Sequence, residues 1–121
     1  MDFETFNPPL PMYNGSRPFQ HIPFQFSVHV QSEEDGPVSH FEFLGSPDTD
    51  PRPDFIKQLV GSTQGEGTIL VYSSFEMSRL AALKSDFPEW THHIEDILHR
   101  IVDLMVPFEN KWYYLSIFVL I

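Results

Sequence analysis

An alternation of apolar and polar side chains over residues 19–31 constrains the fold of this chain more than any other feature of its sequence. Apolar residues occupy even positions and polar residues occupy odd ones, namely Ile22, Phe24, Phe26, Val28 and Val30 against His21, Gln25, Ser27, His29 and Gln31. A period of two predicts a strand with one buried face and one wetter face. Residues 33–36 predict a tight turn and residues 38–44 predict the returning strand, so we expect an antiparallel hairpin.

The rest of the chain predicts an α/β fold in which a mixed sheet carries this hairpin and helices flank it. Residues 1–6 resemble the end of a strand, and the apolar run over residues 68–72 predicts a central strand buried on both faces. One helix is predicted after Asp50, another after Ser73 or Ser74. A third begins at Asp86 and is stopped by Pro107, because apolar residues recur at three- and four-residue steps between them.

The size and charge of the chain limit its function. Its 121 residues fit a single domain, and the absence of cysteine excludes a disulfide-linked partner and a thiolate metal site. The net charge of −10 disfavours a stand-alone nucleic-acid binder, whereas a metal enzyme acting on nucleic acid is less constrained, since a bound cation reverses the local field. No signal peptide or membrane-length apolar run is visible, so we expect a soluble cytoplasmic protein without a membrane partner.

Three carboxylates are the strongest candidates for chemistry. Asp2 and Glu4 are two residues apart, so on a strand they project from one face about 7 Å apart, a spacing at which they can share or bridge hard cations. Glu76 follows the predicted central strand, at the strand end where ligands of α/β sheets usually bind. Taken singly, each has an ordinary explanation: an acidic solvated terminus for the pair, and a favourable helix N-terminus for Glu76.

Asp103 is a fourth candidate, because it is a charge within the apolar stretch 101–105. Such a group is usually paired, capped or metal-bound, although a solvated helix face explains it equally well. On the predicted helix, His99 and Asp103 are four residues apart and could form a local polar pair. The sequence has no HExxH zinc motif, no phosphate-binding loop ending in GK[ST] and no GxSxG nucleophile elbow.

These residues also carry a family resemblance. Residues 2–6, Asp-Phe-Glu-Thr-Phe, resemble the D-x-E first motif of the DEDD-type exonucleases, which belong to the ribonuclease-H-like superfamily. More closely, the chain resembles the bacterial domain family DUF2779 over residues 2 to about 114. The matching segments are residues 17–30, 40–44, 50–52, 71–76, 79–80 and 102–104, together with 2–6.

The resemblance implies a ribonuclease-H-like sheet and a metal-dependent nuclease that cleaves phosphodiester bonds as a 3′–5′ exonuclease does. Asp2, Glu4 and Glu76 would be catalytic residues that bind Mg²⁺ or Mn²⁺ in a two-metal site, and Asp103 would be a further catalytic residue at another acidic position of the family. Nucleic acid would be the substrate. The alternative is a non-catalytic protein-interaction module with a vestigial acidic cluster, and a third possibility is a marginally folded fragment that aggregates through its apolar tail.

The chain also departs from the family pattern. The resemblance implies residues before the D-x-E motif that complete the first strand, and an Asn where this chain has Ser73. After Tyr114 it implies a Gly-Ser and a Ser-x-Lys stretch, where this chain has the apolar residues 115–121. The late His or Tyr with Asp of a complete DEDD site is not apparent. We therefore expect a partial copy, incomplete at both ends, that is weakly active or inactive.

Overall fold

The computed structural model describes residues 1–109, which form five strands and four α-helices. In chain order these are β1 (Asp2–Phe6), β2 (Ile22–Gln31), β3 (Val38–Leu44), α1 (Arg52–Ser62), β4 (Ile69–Val71), α2 (Phe75–Asp86), α3 (Thr91–Arg100), β5 (Ile101–Asp103) and α4 (Val106–Glu109). A short 3₁₀ turn, Pro88–Trp90, precedes α3. No helix in this part of the chain is long and apolar enough to cross a lipid bilayer.

The predicted hairpin is confirmed. β2 and β3 pair antiparallel, with His29 opposite His40, and the Gly36 N–H donates to the Glu33 carbonyl oxygen at 3.0 Å to close the turn between them. β1 pairs antiparallel with the other edge of β2, and the register shifts between Glu4 and Thr5. The result is a three-stranded sheet in the order β1-β2-β3.

The strand predicted over residues 68–72 forms at Ile69–Val71, but the prediction that it is central and buried on both faces is wrong. β4 pairs in parallel with β5 in a separate two-stranded sheet. Ile69 and Val71 are buried, whereas Leu70 between them is 44% exposed, so β4 has one covered face. The two sheets meet where the Met1 amino group donates to the Leu70 carbonyl oxygen at 2.9 Å.

The prediction of one long helix from Asp86 towards Pro107 is also wrong. α3 ends at Arg100, and Ile101 takes an extended conformation with φ −75° and ψ 134°. Ile101 and Val102 then pair with Ile69 and Leu70 of β4. Both are β-branched residues that favour strands, and this pairing outweighs the helical periodicity.

Aromatic rings hold the three-stranded sheet against α1. Phe55 of α1 is fully buried, and its ring meets the rings of Phe3, Phe26 and Phe43 edge-on, with centroids 5.0, 5.4 and 5.9 Å away. Ile94 and Ile97 of α3 belong to the same buried cluster. Because Phe3 faces this core, its neighbours Asp2 and Glu4 face the opposite side of β1.

A buried arginine links the start of α1 to the end of α2. Arg52 is 2% exposed, and its guanidinium lies 2.8 Å from an oxygen of Asp50 and 3.4 Å from an oxygen of Asp86. The Gln20 amide donates to the same Asp86 oxygen at 2.6 Å, and the guanidinium lies over the Phe87 ring. The charge is thus compensated inside the protein, and the loop before β2 is tied to both helices.

Candidate functional site

β1 presents the first two candidate carboxylates on its solvent-facing side. Asp2 lies opposite Ser27 and Glu4 opposite Gln25 in the neighbouring strand, and both side chains are exposed. The buried Phe3 between them packs on Phe55 and fixes the orientation of the strand. Side chains that bind a cation or a substrate need this combination of access and a fixed backbone.

Glu76 reaches the same region from the other sheet. The chain leaves β4 at Val71 and enters α2 after Ser73, whose φ is 144°, in a region that non-glycine residues rarely adopt. The Ser73 hydroxyl oxygen accepts the Phe75 N–H at 3.2 Å. This turn directs Glu76, the second residue of α2, inward, and Glu76 is only 5% exposed.

The environment of Glu76 is unusual for a carboxylate. Among residues 1–109 its buried Oε2 has no hydrogen-bond partner. Burial raises the pKa of the Glu76 carboxyl, and the nearby Asp2 charge raises it further. Hydrogen bonds from the backbone N–H groups of Glu76 and Phe3, together with the charge of the Met1 amino group, oppose this rise in pKa. Glu76 therefore touches the β1 backbone and interacts with the charge of Asp2, although more than 70 residues separate them along the chain.

Asp103 lies at the end of β5 and not on a helix, so the predicted i,i+4 pairing with His99 is wrong. It is opposite Val71 in the β4–β5 ladder. Its Oδ1 accepts the Met105 N–H at 2.8 Å, which closes the turn into α4. Asp103 thus has a structural partner, and it also lies at the carboxyl end of the small parallel sheet, the end from which the chain leads towards Glu76.

Of the other candidate carboxylates, Asp2 is the one whose charge raises the pKa of Glu76. Within residues 1–109 no three His, Asp or Glu side chains are gathered closely enough to hold a metal ion. Magnesium often keeps several water ligands and binds through one or two carboxylates, so a pair with an unsatisfied oxygen is chemically suited to one such cation. A centre for two cations needs further groups, and Glu4 and Asp103 remain the predicted ones.

A stacked histidine pair was not predicted from the sequence. The rings of His29 and His40 lie parallel, with centroids 4.3 Å apart, and His40 Nε2 is 2.8 Å from the Ser27 hydroxyl. The signal was available, since a turn centred between Glu34 and Asp35 places residues 29 and 40 opposite each other. The pair lies on the same face of the sheet as Asp2, because His29 is two residues further along β2 than Ser27, the residue opposite Asp2.

Comparison with known families places the chain. The family model described as Domain of unknown function (DUF2779) matches residues 1–118. The chain belongs to this family. The match includes every candidate carboxylate of the DUF2779 domain and extends nine residues beyond the last described residue, Glu109. No curated protein and no solved structure shows a significant match to the chain.

Proposed function

We propose that this DUF2779 domain is a metal-dependent nuclease related to the DEDD exonucleases, hydrolysing phosphodiester bonds as a 3′–5′ exonuclease does. The observation that carries the proposal is the buried Glu76 carboxylate, which has an unpartnered oxygen and interacts with the charge of Asp2. A buried carboxylate with an unsatisfied oxygen next to a second negative charge is costly in a metal-free protein. Functional sites are where such a cost is commonly found.

The arrangement of the strands supports a ribonuclease-H-like sheet. The Met1–Leu70 hydrogen bond connects the residue before β1 to β4, so the β1-β2-β3 sheet and the β4-β5 sheet lie next to each other at this point. The three-stranded sheet contains the antiparallel hairpin, and the two-stranded sheet contains the parallel pair β4–β5. The presence of both antiparallel and parallel strand pairs supports the proposal of a mixed sheet of the ribonuclease-H-like kind, in which the two sheets would be continuous.

The residues of the chain prepare the proposed site in two ways. The backbone N–H groups of Phe3 and Glu76 favour the charged form of the Glu76 carboxyl, and the residue is only 5% exposed to solvent. Asp2 and Glu4 lie on the exposed face of β1, where a nucleic-acid strand has access. Asp2 and Glu76 would hold Mg²⁺ or Mn²⁺. When bound, such a cation lowers the pKa of a coordinated water and stabilises charge on the phosphate oxygens.

A nuclease assay tests this proposal. The full chain is incubated with labelled single-stranded DNA or RNA in Mn²⁺, Mg²⁺ or EDTA, beside Glu76→Gln and Asp2→Asn. Glu34→Gln is the matched control, because it removes one exposed charge in the hairpin turn by the same substitution. We expect metal-dependent cleavage that both site variants abolish and the control retains. Cleavage that persists in EDTA or in both site variants would refute the proposed site.

A non-catalytic interaction module is the second candidate function. It is favoured by the lack of a three-residue metal cluster within residues 1–109 and by the net charge of −10, which repels an anionic substrate. Calorimetric titration with Mn²⁺ separates the two. A folded chain that takes up no Mn²⁺ and cleaves no nucleic acid is the result that the interaction module predicts and the nuclease does not.

A further inference from the structure

Arg79 of α2 is a half-buried cation without a negatively charged partner. Within residues 1–109 the other buried or half-buried Lys and Arg side chains, Arg52, Lys84 and Arg100, each form an ion pair, whereas Arg79 forms none. Its Nε is buried and has no hydrogen-bond partner in this part of the chain. Because a buried donor without an acceptor costs free energy, an acceptor from outside the chain would relieve this cost.

The position of Arg79 on α2 brings its charge close to the candidate site. Arg79 follows Glu76 by three residues, and side chains at this spacing are neighbours on a helix surface. Glu76 and Arg79 form no ion pair in the described part of the chain, so the guanidinium keeps its donors for another group. A carboxylate suited to a cation and a guanidinium suited to an anion therefore lie within one turn of α2.

Phe75 connects Arg79 to β1, the strand of the first two candidate carboxylates. The guanidinium carbon lies over the Phe75 ring, 5.1 Å from its centroid, which is a favourable contact between a cation and an aromatic face. The His21 ring meets the same Phe75 ring edge-on with centroids 6.0 Å apart, and its Nδ1 is 2.8 Å from the Thr5 hydroxyl oxygen of β1. These contacts restrict the Arg79 side chain without using its hydrogen-bond donors, and such restriction favours binding.

The chemistry of Arg79 suits a phosphate group. A guanidinium is planar, always charged and weakly hydrated, and its N–H donors match two phosphate oxygens at once. The chain has 17 acidic and 7 basic side chains, so a nucleic-acid strand is repelled unless a local cation holds its backbone. We propose that Arg79 is a subsite for a backbone phosphate of a single-stranded nucleic acid beside Glu76, an assignment that rests on the proposed nuclease function.

Binding of an oligonucleotide in EDTA tests the subsite without using the nuclease reaction. Fluorescein-labelled oligothymidylate is titrated with the full chain at low salt, and its anisotropy gives the affinity. Arg79→Gln should weaken binding about tenfold, as expected when a hydrogen bond between charged groups is lost. Arg79→Lys should recover part of this loss, because lysine keeps the charge but not the paired donors. Lys57→Gln, the matched control, removes an exposed charge from α1 and should leave the affinity unchanged.

The salt dependence of binding separates a phosphate contact from a structural role. Each phosphate contact to a single strand adds about 0.7 to the steepness of log K against log salt concentration, so the dependence should be shallower by about 0.7 in Arg79→Gln. An unchanged slope, or an equal loss of affinity in Lys57→Gln, would overturn the proposal. So would the absence of binding at about 100 μM chain, the weak end of non-specific affinities. If Arg79→Gln loses its fold by circular dichroism, Arg79→Lys takes its place, and an unaltered affinity then overturns the paired contact.

Failure of the subsite and failure of the nuclease function give different results. Binding in EDTA that depends on Arg79, by a chain that cleaves nothing in Mn²⁺, would support the subsite and refute the nuclease. Cleavage that Arg79→Gln leaves at its full rate, at oligonucleotide concentrations below KM, would retain the nuclease and overturn the subsite. Competition by oligoglutamate as strong as by unlabelled oligothymidylate would overturn it in favour of a carboxylate from a protein partner.

Discussion

Replacing Glu76 with glutamine should make the metal-free protein more stable at neutral pH. The Glu76 pKa is raised above its ordinary value of 4.5, chiefly by burial. Between the unfolded and folded pKa values the folded state holds a proton that the unfolded state has released. Stability therefore falls as the pH rises through this window and stays lower above it. Glutamine does not titrate, so this loss is absent from Glu76→Gln.

The size of the effect follows from the surroundings of Glu76. A buried polar group without a partner costs about 1–3 kcal/mol, and more if it is charged. Glutamine keeps an oxygen that can accept a hydrogen bond from the Phe3 N–H, but its amide NH₂ replaces the unpartnered Oε2. Part of the cost therefore remains. We expect a net gain of about 1 kcal/mol, which is roughly 4 °C in Tm for a domain of this size.

Urea denaturation in EDTA, from pH 5 to pH 8, measures the gain. Glu34→Gln serves as the control and should show none. Added Mn²⁺ should then reverse the order, because a ligand at 100 times its Kd stabilises the folded state by about 2.7 kcal/mol and Glu76→Gln removes a ligand group. The reasoning fails if Glu76→Gln is less stable than the unaltered chain in EDTA at pH 8, or if Mn²⁺ stabilises both equally.

Three further predictions concern the core, the buried arginine and metal affinity. Phe55→Leu should lose about 2–3 kcal/mol in urea denaturation, since three edge-on ring contacts worth about 0.5–1.5 kcal/mol each disappear; a loss below about 1 kcal/mol would contradict this. Arg52→Met should lose about 3 kcal/mol in thermal denaturation, because it removes the buried cation that compensates the charges of Asp50 and Asp86. An unchanged Tm would show that the ion pairs contribute nothing. The unaltered chain should bind Mn²⁺ weakly and cleave nucleic acid slowly, as expected of a two-carboxylate site on a chain of net charge −10; calorimetric binding at submicromolar Kd would contradict it.

The parts of the fold that could be predicted depend on local sequence. The β2–β3 hairpin follows from the alternation along residues 22–30 and from a turn that contains Gly36. Strand β5 (Ile101–Asp103) could not be predicted from local sequence, because its partner β4 lies about 30 residues earlier in the chain. From the sequence alone, the helical spacing of Ile97 and Ile101 was the stronger local signal.

In the candidate site, too, the features set by local sequence could be predicted and those set by distant contacts could not. The same-face placement of Asp2 and Glu4 follows from the period of a strand, and the position of Glu76 follows from the usual location of ligands at strand ends. The burial of Glu76 could not be predicted, since it depends on contact with the backbone of Phe3. The ion pair of Arg52 with Asp86 could not be predicted either, because the two residues are 34 positions apart along the chain.

The contact between Met1 and Leu70 spans 69 residues, and this separation affects the order in which parts of the protein fold and open. Hairpins such as β2–β3 form in about 1–10 μs, whereas contacts between distant parts of a chain form later because longer loops must close. The β1–β4 junction should therefore be among the last parts to assemble and among the first to open in the native state. Each opening would separate Glu76 from Phe3 while β2 and β3 stay paired. Amide hydrogen exchange should thus be faster at Phe3 than in the middle of β2. The residues of the candidate site would separate during each local opening while the rest of the protein stays folded.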